Sequence, residues 1–317
     1  MRALLWDGAQ ARVTDCPRPQ PGSDIALVRV ALAGICNTDL ELVKGYMQFR
    51  GVLGHEFVGV VEDGPNEWRA QRVVGEINFG CNRCDVCRRG LQRHCPSRRV
   101  MGILNADGAF AELVAVPIEN LHRVPDGVPD DAAVFVEPLA AAFEILEQVH
   151  VIPGTACIVV GDGKLGLLAA QVLHQAGAQV LAVSKHDDKL AILRKRGIET
   201  KILQNWNGAP AELVVEATGS AAGFAAALAA TKPRGTLVLK STVAEATQLN
   251  LAPLVINEIT VVGSRCGSFA PALRALGAGS VDVRSLISAR FALRDAVDAL
   301  QYAASPGVLK VLLHPDA

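Results

Sequence analysis

The spacing of apolar and polar positions divides this chain in two. Through about the first 135 residues, apolar side chains come in short runs that alternate with other residues: "IALVRVALAGIC", "FVGVVED" and "RVVGEI". A two-residue period gives a strand one buried face and one wet face. Turn-forming Pro and Gly stretches separate the runs. This part reads as an all-β unit. Beyond it the period changes. "TACIVVGDGKLGLLAAQVLHQAGAQVLAVSKHDDKLAILRKRGIETKIL" reads strand, turn, helix, strand, helix, strand. "AELVVEATGS", "GTLVLKST" and "EITVVGS" add further short apolar strands. Strands alternating with helices predict a doubly wound parallel sheet, so the fold class is α/β with a β-rich partner domain. The tail "FALRDAVDALQYAASPGVLKVLLHP" predicts one helix, a turn and a last strand.

Composition narrows the partners. With 317 residues, of which half are apolar, the chain suits roughly two domains of about 150 residues. Lys plus Arg is 31 and Asp plus Glu is 32. That balance supplies no field for nucleic acid or an anionic membrane. The longest apolar stretches, such as "SAAGFAAALAA", fall short of the ~18 residues of a membrane span. "MRALLWDGAQ" lacks a signal-peptide pattern, so a cytoplasmic location is expected.

"GDGKLG" fits G-x-G-x-x-G between an apolar strand and a helical pattern, the setting in which the motif binds a dinucleotide. Gly161 permits the tight turn, Gly163 lets the backbone approach a pyrophosphate, and Gly166 lets helix and strand close up. Lys164 and Leu165 fill the positions between, where the helix N-terminus faces the phosphates. The next strand ends at Ser184, where an NAD enzyme usually carries a carboxylate for the ribose 2′-hydroxyl. Without that carboxylate a 2′-phosphate is not repelled, and Lys185 adds a charged donor. NADP is therefore favoured over NAD.

Of the eight cysteines, four lie in "CNRCDVCRRGLQRHC". Cys81, Cys84, Cys87 and Cys95 suit a tetrahedral zinc, and four protein ligands leave no open position, so the site is structural. Arg83, Arg88, Arg89 and Arg93 lie among them to offset the charge. The rival is an iron–sulfur cluster, whose bacterial run has three residues before its last cysteine where this chain has seven. Cys16, Cys157 and Cys266 read as buried small residues. Chemistry then needs a second site. Cys36 in "GICNTD", His55 in "GHE" and Glu137 in "FVEPLAAAFEIL" make a Cys/His/carboxylate set, the makings of a zinc site with an open position.

These motifs, with "VVEATG" and the "KVLL" tail, keep an order that resembles the zinc-dependent medium-chain alcohol dehydrogenases, in the branch of sorbitol and threonine dehydrogenases. The resemblance implies a GroES-like catalytic domain from residues 1–138 and 264–317, with a zinc lobe at about 78–98, and a Rossmann domain at 139–263. It implies Cys36, His55 and Glu137 as catalytic zinc ligands and Glu56 as a glutamate beside the metal that joins it transiently. Thr38 matches the hydroxyl that relays the substrate proton, and Asp39 a carboxylate that orients His55. Lys189 matches a lysine on the adenosine ribose, and Thr218 and Gly219 lie near the cofactor. One departure is Glu41, where liver-type members carry a proton-passing histidine. The implied activity is hydride exchange between a small-molecule alcohol or carbonyl, of polyol, sugar or amino-alcohol type, and NAD(P), in a homodimer or homotetramer. The alternatives are a non-catalytic NADP-binding sensor or structural protein, a zinc-free quinone or enoyl reductase, and a carbonyl reductase working mainly in the reductive direction.

Overall fold

The computed structural model describes residues 1–20, 22–242 and 250–315. Two compact units emerge. One holds Met1–Glu137, Leu276–Ala278 and Leu286–Ala317; the other holds Pro138–Ala275 and Gly279–Ser285.

The first unit is built on the strand Ile25–Ile35, whose last four residues are all buried. Such a strand needs cover on both faces, and it has neighbours on both edges. It pairs antiparallel with Phe57–Asp63, with Leu113–Pro117, and with Lys310–His314 from the far end of the chain. The tail therefore returns to the N-terminal unit with Val311 opposite Ile35. Phe110, Phe135, Leu4, Leu27, Ile35, Leu42 and Leu53 are among the largest fully buried side chains of this unit. A three-stranded sheet, Asn78–Phe79, Arg99–Met101 and Asn105–Ala106, carries the cysteine lobe.

The second unit is a six-stranded parallel sheet of Ala156–Val160, Gln179–Ser184, Glu199–Ile202, Ala211–Glu216, Thr231–Leu239 and Thr260–Gly263. Numbered in chain order, they run 3-2-1-4-5-6 across the sheet, the doubly wound order of dinucleotide-binding folds. Ile158, Val160, Val183, Val214 and Leu237 are buried in one core cluster with Phe224 and Ala227 of the helix Ala221–Ala229. Parallel strands covered on both faces read as unbroken apolar runs, which is the pattern "ACIVV" and "LVV" show.

The first domain break falls at Glu137/Pro138, but the second is not at residue 264. Residues 264–275 stay with the nucleotide unit. Backbone contact explains part of this: Gly267 lies so close to the Ala140 carbonyl that no side chain fits between them. The amide of Gln171 also clasps Asp282, donating to its carbonyl (3.0 Å) and accepting from its N–H (2.7 Å). Among the described residues no helix is long and apolar enough to cross a membrane.

Candidate functional site

Cys36 follows directly on the buried end of Ile25–Ile35 and is the N-cap of the short helix Asn37–Leu42. The Asp39 carboxylate reaches back to accept from the Cys36 N–H (2.8 Å), which fixes the cap. Its other oxygen lies 3.1 Å from His55 Nδ1, so Asp39 orients the imidazole and leaves Nε2 for other work. His55 is held in place by its neighbour. Gly54 takes a left-handed φ of +99°, and a Cβ there would strike the Phe110 ring. Thr38 Oγ1 stands 3.8 Å from Cys36 Sγ, half-buried.

The donor atoms of Cys36, His55 and Glu56 lie within 4.8 Å of one another. Glu137 is not in that group; it stands half-buried in the first turn of the helix Val136–Gln148. Burial pulls the pKa of His55 down, but the Asp39 carboxylate and the Cys36 sulfur outweigh it and leave it well above its ordinary value. The local field therefore favours a positive charge. Glu56 is fully buried, with Oε1 lacking any hydrogen-bond partner. A cation held by soft sulfur, imidazole and carboxylate answers both facts, and this donor set fits zinc.

The remaining Glu56 oxygen, Oε2, is ion-paired with the fully buried Lys310 Nζ. That ammonium also lies 3.4 Å from the Ile35 carbonyl and 5.4 Å from the Phe135 ring centroid. Room for the pair comes from Gly34, where a Cβ would stand 2.6 Å from Glu56 Oε2. Sequence reasoning missed Lys310. A lone polar residue opening the apolar "KVLL" strand was the available signal.

In the cysteine lobe the four sulfurs also lie within 4.8 Å of one another. The Cys81 N–H points at Cys95 Sγ (3.4 Å) and the Cys87 N–H at Cys84 Sγ (3.4 Å). Backbone N–H groups of Arg83 and Cys84 lower the Cys81 thiol to about 6, whereas burial and its sulfur neighbours push Cys87 up to about 12. Four sulfurs this close ionise together only around a cation, so the set fits a closed zinc site. All eight cysteines are unbridged. Cys157 is buried, and burial raises its thiol to about 12, which makes it inert. Cys16 and Cys266 are only half-buried, unlike the expectation; Cys16 packs at the margin of a small cluster around Ala3, Val52 and Ala111.

In the nucleotide unit, Gly161 follows the first strand with φ +125°, and a Cβ on it would meet the Ala217 carbonyl at 2.7 Å. Gly166 lies against the Gly161 carbonyl, where a Cβ would stand 2.4 Å away. A Cβ on Gly163 would meet nothing within 4 Å. That open ground lies at the N-cap of the helix Lys164–Gln175, the end at which backbone N–H groups point out of a helix. The cradle fits a pyrophosphate. Beside it, buried Glu216 ties down the loop after the fourth strand. It accepts from Thr218 N–H and Oγ1 (both 2.6 Å) and from Gly219 N–H (3.2 Å).

Ser184 ends the second strand, buried, and Lys185 after it is exposed. Ser184 Oγ donates to a carboxylate that the sequence reading overlooked, that of Asp162. Lys189 Nζ stands 3.7 Å from the same carboxylate, with its side chain largely buried.

Residues 22–126 match the family description "Alcohol dehydrogenase GroES-like domain", and residues 165–278 match "Zinc-binding dehydrogenase". A sorbitol dehydrogenase of Halalkalibacterium halodurans is 28% identical over 96% of this chain and 95% of its own length. A zinc-binding dehydrogenase structure from Sinorhizobium meliloti, bound to NADP, superposes with a TM-score of 0.90 at 27% identity, covering 99% of each chain. The alcohol dehydrogenase of Thermus sp. ATN1 gives 0.89 at 28% identity over 100% of both chains. With two zinc-fitting donor sets, a dinucleotide cradle and both family domains in their order, the chain belongs to the zinc-type medium-chain alcohol dehydrogenases, alcohol oxidoreductases that work with NAD(P).

Proposed function

We propose that this enzyme oxidises a secondary alcohol of the polyol, sugar or amino-alcohol class to the carbonyl, reversibly, at the Cys36–His55 centre. The observation that carries the reading is the Cys36, His55 and Glu56 donor group with its unpartnered, buried Glu56 Oε1. Cys36, His55 and Glu56 would hold the catalytic zinc, and Glu137, outside that group, would be the further carboxylate offered to it. Bound there, zinc supplies a Lewis acid that makes an alcohol more acidic and polarises a carbonyl. Everything else falls to the chain. Asp39 fixes the His55 tautomer, so Nε2 faces the donor group. Thr38 takes the substrate proton, since its hydroxyl stands beside the Cys36 sulfur and both donates and accepts. The Gly161–Gly166 loop holds the pyrophosphate of the cofactor, the hydride acceptor. Lys185 follows directly on the strand end at Ser184, and Lys189 lies 3.7 Å from Asp162 beside it; both are cations offered to the adenosine ribose. Cys81, Cys84, Cys87 and Cys95 hold the structural zinc.

The polyol class is supported by the sorbitol dehydrogenase relative and by the Glu56 carboxylate in the donor group. A homodimer or homotetramer is supported by apolar side chains on and beside the edge strand Thr260–Gly263: Val255 and Ile256 are 79% and 77% exposed, and Val261 is 40% exposed. Unbridged thiols suit the cytoplasm. The test is a screen of simple alcohols, polyols and amino alcohols with both cofactors, run beside Cys36→Ser and His55→Ala. Turnover should vanish in both variants while cofactor binding persists. Undiminished turnover in either would overturn the zinc assignment, and activity confined to simple primary alcohols would overturn the substrate class.

A further inference from the structure

Where an NAD-binding fold of this kind usually carries a carboxylate at the end of the second strand, this chain carries Ser184. The structure nevertheless brings a carboxylate to that place. The first two strands are parallel neighbours with Val160 opposite Val183, and the Gly161 N–H donates to the Val183 carbonyl (2.9 Å). Asp162, next in the glycine loop, therefore stands level with Ser184. Its Oδ2 accepts from Ser184 Oγ and from the His186 N–H (3.2 Å), and it lies 2.6 Å from His186 Nδ1. Its Oδ1 lies 3.7 Å from Lys189 Nζ. The side chain is only 14% exposed. Burial alone would raise its pKa, but Ser184, His186 and Lys189 together hold it below the ordinary carboxylate value. It is a fixed negative charge at the strand end.

Resting on the dinucleotide reading above, we propose that Asp162 sets the cofactor choice and makes NADH the preferred form, against the expectation drawn from Ser184 and Lys185. A carboxylate there accepts from ribose hydroxyls. A 2′-phosphate replaces the hydroxyl donor and bears about −1.5 to −2 charge, so it meets like charge. The neighbouring charges do not reverse this. Lys189 is already engaged with Asp162, and Asp187 and Asp188 open the next helix, with Asp187 bound to Arg194 (2.8 Å). Lys185 favours phosphate, but it is exposed to screening by water and salt.

The test is fluorescence titration of the full-length, metal-loaded protein with NADH and NADPH, which needs no substrate or turnover. The wild type should bind NADH at least about tenfold tighter, roughly 1.4 kcal/mol. Asp162→Asn, which keeps the shape and removes the charge, should shrink that ratio about tenfold, chiefly by tightening NADPH. A wild type that binds NADPH as well as NADH or better overturns the proposal, whether or not the variant folds. So does a folded Asp162→Asn with an unchanged ratio. Binding of neither cofactor would overturn the dinucleotide reading itself, and this proposal with it.

Discussion

At the residue scale the most consequential contact is the buried Lys310–Glu56 pair. Both groups are fully buried, so each depends on the other for compensation. Removing one partner of a buried pair strands a charge and costs about 3–5 kcal/mol. Lys310→Met should therefore destabilise strongly, while Lys310→Met with Glu56→Gln should recover most of the loss. A denaturant double-mutant cycle measures it; additive losses would mean the pair does not couple. The cysteines and histidine of the two donor groups were legible in the sequence because few side chains bind zinc and their spacing is restrictive. Lys310 was not, because its partner is far away in the sequence and adjacent only through strand pairing. Asp162 was hidden for the same reason. As the variable position of a glycine motif it looked neutral, and only the parallel register sets it against Ser184.

At the element scale the cysteine lobe is the weakest structure without its ion. Its helix Asp85–Arg88 has four residues and its strands two or three. Elements this short do not persist on backbone bonds alone. Cys84→Ser should lower zinc content by about one equivalent per chain, counted by metal analysis, and expose the lobe to limited proteolysis. Turnover should fall only as the fold loosens, and loss of activity in a protein with unchanged melting and proteolysis would contradict the structural role. The strand Ile25–Ile35 and its returning partner Lys310–His314 show a different limit on legibility. Both were recognisable as strands from apolar content, yet nothing local says that they pair.

At the scale of the whole molecule, the two units draw on different sources of stability. The nucleotide unit rests on an apolar parallel sheet, whereas the first unit contains both zinc-fitting donor sets. Stripping metal with a chelator should therefore lower the melting temperature of the first unit, seen by calorimetry as an earlier transition, while NADH or NADPH titration still reports binding. Simultaneous loss of cofactor binding and of all structure at the first transition would contradict this division. The sequence by itself determined the division into β-rich and α/β parts, the glycine loop and the identity of the cysteine and histidine donors, because period, turn chemistry and coordination chemistry act over short distances. Only the tertiary structure decided that residues 264–275 stay with the nucleotide unit, that Glu56 stands within 4.8 Å of the Cys36 and His55 donors, that Lys310 pairs with it, and that Asp162 brings charge to Ser184. Each of these depends on which strands become neighbours, and long-range pairing is set by the packing of the entire chain.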